Sequence, residues 1–101
     1  MSVMITKTIN RSGIITSAGT LLAANEARAS YMIQNCGTEA LFVKRGTGAS
    51  ITDFDFILGA GTGDDDGNGG FYESPADQVY TGIITIAGTT PRVVASECEE
   101  E

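Results

Sequence analysis

The chain of 101 residues contains no histidine and no tryptophan. Without histidine, the commonest general base and nitrogen metal ligand is missing, and no Ser-His or Cys-His arrangement can be built. Only two cysteines are present, Cys36 and Cys98. A thiol with neither histidine nor an activating cation beside it is a weak nucleophile. Two cysteines without histidine make no zinc site either. The expectation is a pair of inert thiols; a disulfide between the turn at Cys36 and the C-terminal strand is the alternative. Lysine and arginine are also scarce, six against 13 acidic residues. With no basic cluster the chain is poorly suited to phosphate backbones and to anionic membrane surfaces, so neither a nucleic acid nor a membrane is expected as partner. No apolar run approaches the length of a membrane span. Met1–Ile5 shows no basic region leading into a long apolar stretch, so no signal peptide is expected, and synthesis in the cytosol is.

What charge there is lies unevenly. Residues 1–45 hold Lys7, Arg11, Arg28, Lys44 and Arg45 against Glu26 and Glu39, a balance of +3; residues 46–101 hold Arg92 alone against eleven acids, a balance of −10. Either the asymmetry serves head-to-tail contacts or a basic protein partner, or folding mixes the two halves and it disappears. A chain of this length forms one domain and buries about 60–65% of its unfolded surface, so its core is modest and docking on a larger body would help it.

Helical periodicity is nearly missing. Leu21–Ser30 is alanine-rich but short, and at most one turn is expected there. The remainder reads as short strands punctuated by Gly, Asn, Asp and Pro. Val3–Ile9 alternates, and Gly13–Thr16 carries the β-branched pair Ile14-Ile15. Ser30–Gln34 ends at Asn35-Cys36-Gly37, and Ala40–Lys44 follows so closely that the two look like a hairpin. Phe54–Leu58, Val79–Ala87 and Arg92–Ser96 complete the set. The prediction is all-β: a small sandwich or barrel of about seven to eight short antiparallel strands. Residues 1–101 form a single β domain, with 1–10 a possible attachment arm and 97–101 an acidic tail. Gly59–Gly70 is too polar and glycine-rich for a core and belongs on the surface.

No catalytic, cofactor-binding or metal site is expected, and the chain does not read as an enzyme. Gly46–Ser50 lacks the Gly-Lys-Ser/Thr ending and the helix of a phosphate loop. Asp53 and Asp55 read as a solvated edge. Asp64-Asp65-Asp66-Gly67-Asn68 interleaves carboxylates with Gly and Asn as calcium loops do, but the acids are contiguous and no closing glutamate follows. A solvated turn of special conformation is expected instead.

Several short words of the sequence resemble those of a group of small virion proteins of tailed phages. They are Leu22-Ala23-Ala24-Asn25 with Arg28, Met32-Ile33-Gln34-Asn35 with Gly37, and Leu41-Phe42-Val43-Lys44 with Gly46. Further on come Asp53-Phe54, Ala60-Gly61-Thr62, Asp65-Asp66-Gly67, Gly69-Gly70, Tyr80-Thr81-Gly82-Ile83 and Ala87-Gly88. Together they span most of residues 21–95. The resemblance is to capsid decoration (cement) and head accessory proteins. It implies a β-rich module, without cofactor, on the capsid surface of a phage virion. There, many copies or a homo-oligomer would bind the assembled major capsid protein and stabilise the shell. Arg28, Gln34 and Asn35 are expected to do structural work, bridging carbonyls and closing turns. The alternatives are a tail, fibre or adaptor component, or a glycan-binding surface knob using Tyr31, Tyr72 and Tyr80. A calcium or adhesion module is the third.

Overall fold

Strict alternation decides the longest strands. In Arg28–Asn35, Tyr31, Ile33 and Asn35 point inward and are buried, while Met32 and Gln34 point out and are half-buried. Val93–Glu100 repeats the pattern with Val93, Ala95 and Glu97 inward. A computed structural model describes residues 7–75 and 78–100. It contains eight strands: β1 (Lys7–Arg11), β2 (Gly19–Leu22), β3 (Arg28–Asn35), β4 (Leu41–Arg45), β5 (Phe56–Leu58), β6 (Phe71–Glu73), β7 (Ile84–Ala87) and β8 (Val93–Glu100), and no helix among the described residues.

The strands form two antiparallel sheets, ordered β1-β8-β3-β6 and β2-β7-β4-β5. The pairings are nested: β1 with β8, β2 with β7, β3 with β6, β4 with β5. The chain is thus one long hairpin, with β4 and β5 at its tip, rolled so that β8 also meets β3 and β7 also meets β4. This is jelly-roll connectivity. Between the sheets lie Ile33, Leu41, Val43, Ile84, Ile86 and Val93, all essentially without solvent contact. Each such side chain contributes about 1.5–3 kcal/mol by burial. The open side between β5 and β6 is closed by Phe56 stacking on Tyr72, centroids 4.5 Å apart. Strand β7 is buried on both faces because residues 46–49 fold over it. Thr85 Oγ1 accepts from Ala49 N (3.0 Å) and donates to the Gly46 carbonyl (2.7 Å).

The all-β sandwich is as expected from the sequence; several of its parts differ. β3 and β4 are not a hairpin: they belong to different sheets, and residues 36–40 cross between them. Leu21 and Leu22 end a strand, β2, that the sequence hid behind an alanine-rich turn. Ile14-Ile15 makes only a single bridge, Ile15 with Val93. The Val79–Ala87 run is strand only from Ile84. Glu97, Glu99 and Glu100, expected in an acidic tail, are strand residues of β8, paired with β1 and β3. Residues 7–10 of the expected arm lie in β1, hydrogen-bonded to β8; residues 1–6 and 101 lie outside the described residues.

Interleaving also answers the charge question. Strands from the two halves of the chain alternate across each sheet. Arg28, Lys44 and Arg45 from the first half pair with Glu97, Asp53 and Asp55 from the second.

Candidate functional site

Buried polar residues are where function is usually sought first, and here they hold the fold. The Arg28 side chain is fully buried at one end of the sandwich. Its Nε donates to Glu97 Oε1 (2.8 Å), Nη1 to the carbonyls of Tyr80 (2.8 Å) and Gly82 (3.0 Å), and Nη2 to the carbonyl of Ala23 (2.7 Å). One guanidinium therefore ties β8 to two loops, the bridging expected of it. Asn10 Nδ2 donates to Glu97 (3.1 Å) and Glu99 (2.6 Å), and Asn25 Nδ2 donates to the same two carboxylates (2.8 and 2.9 Å). Burial alone would raise the Glu97 carboxyl. The bonds from Arg28, Asn25 and Asn10 outweigh it and hold the group below the usual range.

At the opposite end Asn35 has the same role. Its Nδ2 donates to the carbonyls of Glu39, Leu58 and Gly59, and its Oδ1 accepts from Gly37 N. The 59–70 loop folds against it on the surface. Asp66 accepts from the backbone N–H and hydroxyl of Thr62 and from Asn68 N, which hold its carboxyl down at about 2. Asp65 sits at φ 58° and grips Arg92 through Nε (2.8 Å) and Nη2 (2.6 Å). Asp66 is engaged with its own loop and Asp65 with Arg92, and no three potential ligands converge on a cation position among the described residues. The special turn expected for this segment is what it forms.

The cysteines are both free. Cys36 follows the end of β3 that pairs Val93, whereas Cys98 pairs Ser30 at the other end of β3. The length of the sheet separates them, far beyond disulfide reach. Burial, and next the Asp65 charge, push the Cys36 thiol up, away from nucleophilic use. Asp53 and Asp55 precede β5; they are ion-paired with Lys44 (2.6 Å) and Arg45 (3.1 Å), contacts worth about 0–1 kcal/mol at the surface. The tyrosines proposed for glycan stacking face inward. Tyr31 is 3% exposed and its hydroxyl is pushed up to about 12, mainly by burial; Tyr72 and Tyr80 pack on the core.

Among the described residues, two features open to a partner stand out. The first is the outer face of the β2-β7-β4-β5 sheet. Phe42 meets Phe54 edge to face at 5.0 Å, and Phe42 stands opposite Ile57 in the β4–β5 register. Phe54 and Ile57 are 36% and 49% exposed, and Ile51, in the loop before β5, is 64% exposed. Lys44, on the same face of β4 as Phe42, pairs with Asp53 at the margin, so the apolar centre is bordered by a neutral ion pair, as at the rim of a protein–protein contact. The second is an open cleft of about 380 Å³ at the loop end near Asn35, lined by Thr16, Thr38, Asp64 and residues 89–92.

No family model, curated protein or solved structure matches the chain. The sequence words that resemble phage virion proteins fall on residues of the scaffold: Asn25, Arg28, Asn35, the Asp66-Gly67 turn and Gly82. Gly69 belongs with them, since a Cβ there would lie 1.9 Å from the Asn35 carbonyl oxygen. The outer-face apolar residues Phe42 and Phe54 were visible as apolar residues of expected strands, although Phe54 lies just before β5, which begins at Phe56. That they share an exposed face was not, because it depends on which sheet each strand joins.

Proposed function

We propose that this chain is a structural virion protein that decorates a phage capsid. It docks on the assembled major capsid protein and stabilises the shell against opening. The observation that carries the docking is the surface formed by exposed Phe54 and Ile57 with half-buried Phe42, on a domain whose buried polar side chains are, among the described residues, all committed to its own fold. The resemblance in residues 21–95 supplies the kind of partner. A module that binds only the assembled shell stabilises it by mass action, since opening the shell must also break its contacts.

The experiment is add-back to particles lacking the protein. The wild-type chain should saturate the shell, with a copy number that scales with shell area, and should raise the temperature at which the genome is lost. Phe54→Ser with Ile57→Ser should fold normally and bind at least about tenfold more weakly, because each buried apolar side chain contributes about 1.5–3 kcal/mol. Copies confined to the tail vertex would place the protein in the tail or its adaptor. Undiminished binding by the double variant would move the docking face elsewhere.

A further inference from the structure

The threonine-lined cleft is not used by the docking just described. Four separate loops build it: 12–18, 36–40, 59–70 and 88–92. The hydroxyls of Thr16, Thr38, Thr89 and Thr90 make no hydrogen bond to any described residue, and neither does the carboxylate of Asp64. Arg92 spends Nε and Nη2 on Asp65, which leaves the N–H groups of Nη1 without a hydrogen-bond partner among the described residues. Pro91 supplies a flat apolar patch in the same wall.

These groups converge without satisfying one another, and the loops that carry them are fixed. Cys36 N donates to the Arg92 carbonyl (2.7 Å), Asp65 N to the Cys36 carbonyl (2.7 Å), and Gly61 N to the Gly37 carbonyl (2.8 Å). A Cβ on Gly37 would come within 3.1 Å of Arg92 Cβ, so the 36–40 and 88–92 loops are in close contact. The cleft is therefore preorganised, which lowers the ordering cost of binding.

We propose that the cleft is a binding site for a neutral saccharide. Hydroxyls of a sugar donate and accept at once, and so match a wall of threonine hydroxyls, which do the same. Asp64 is an acceptor for two neighbouring sugar hydroxyls, Arg92 Nη1 a donor to a third, and Pro91 a surface for the C–H face of a pyranose ring. With Arg92 already neutralised by Asp65, Asp64 leaves the cleft with a net negative charge. This disfavours sialylated or phosphorylated sugars. The volume suits one or two sugar rings. The cleft is open and has no aromatic platform, so the affinity is modest, with a dissociation constant of about a millimolar.

The test is a heteronuclear NMR titration of the free, full-length protein, which does not depend on any capsid. The probes are the methyl glycosides of glucose, galactose, mannose and N-acetylglucosamine, with N-acetylneuraminic acid and glucose 6-phosphate as charged comparisons. At least one neutral glycoside should shift the amides of residues 16, 38, 64 and 89–92, with a dissociation constant below about 10 mM. Asp64→Ala and, separately, Thr90→Val should each weaken that response several-fold with melting temperatures nearly unchanged, since neither side chain makes a hydrogen bond in the fold and Asp64 has only an exposed Coulombic contact with Arg92. The proposal is overturned if no neutral glycoside shifts those amides at about 50 mM. It is equally overturned if the shifts persist unchanged in both variants, or if the charged sugars bind more tightly than the neutral ones.

Discussion

Single residues hold this small domain together at two places, and each makes a prediction. At Gly69 there is no room for a side chain: a Cβ would lie 1.9 Å from the Asn35 carbonyl oxygen, a backbone atom that β3 holds in place. Gly69→Ala is therefore expected to cost more than about 2 kcal/mol and to lower the melting temperature by about 8 °C or more. A thermal melt checks this. Gly67→Ala is the useful contrast, because its Cβ meets open space and its penalty comes only from a φ of 80°. Acid is the second probe. The carboxyls of Glu97, Asp65 and Asp66 lie below their ordinary values in the folded chain. The stability they contribute is fully present above the unfolded-state carboxylate range, near pH 4. It is lost as pH falls through the folded values, toward about 2 for Asp66. Melting temperature should hold from neutral pH to about 5 and then fall steeply. Glu97→Gln should flatten part of that fall. It should also lower stability at neutral pH, since Arg28 would be left buried without a counter-charge.

At the scale of elements, β8 shows how far the sequence can be read. The alternation Val93-Ala95-Glu97 is visible in the sequence, but four glutamates near the end of the chain suggest solvent. What the sequence cannot display is Arg28, 69 residues earlier, waiting to neutralise the one that turns inward. The β3–β4 error has a similar cause. A short glycine-containing link looks the same whether it turns a hairpin within one sheet or arches between two; only the strand partners decide, and those lie far along the chain. β2 was missed because its two buried leucines run into an alanine-rich turn with no period of two. The cleft was illegible altogether, since its lining comes from residues 16, 38, 64 and 89–92. β1 supplies the test at this scale. Residues 2–10 look in the sequence like a detachable arm, yet their removal takes four of the five β1 residues and the Asn10 bonds to Glu97 and Glu99. Deleting 2–10 should destabilise the sandwich, and by more than deleting 2–6, which leaves every described strand complete; far-UV circular dichroism and thermal melts check this. Equal behaviour of the two deletions would refute this reading of β1.

For the whole molecule, the nested pairing makes most stabilising contacts distant in sequence. Asn10 meets Glu99 across 89 residues. Among the described strand pairs only the β4–β5 tip is local, and its pairing covers three residue pairs. Closing such long loops precedes any gain from pairing, so folding should be slow for a chain of this size, in the range of milliseconds to seconds. Stopped-flow refolding from urea checks it; relaxation within microseconds would contradict the nested topology as the source of the barrier. The same nesting sets Lys7 beside Glu100 as cross-strand neighbours. Where a chain enters and leaves its fold is then a matter of bookkeeping rather than of architecture. A short peptide joining those two positions would close the backbone into a ring with no strand moved, and a cut in the exposed Thr47-Gly48 stretch would reopen it with the same eight strands in a new order.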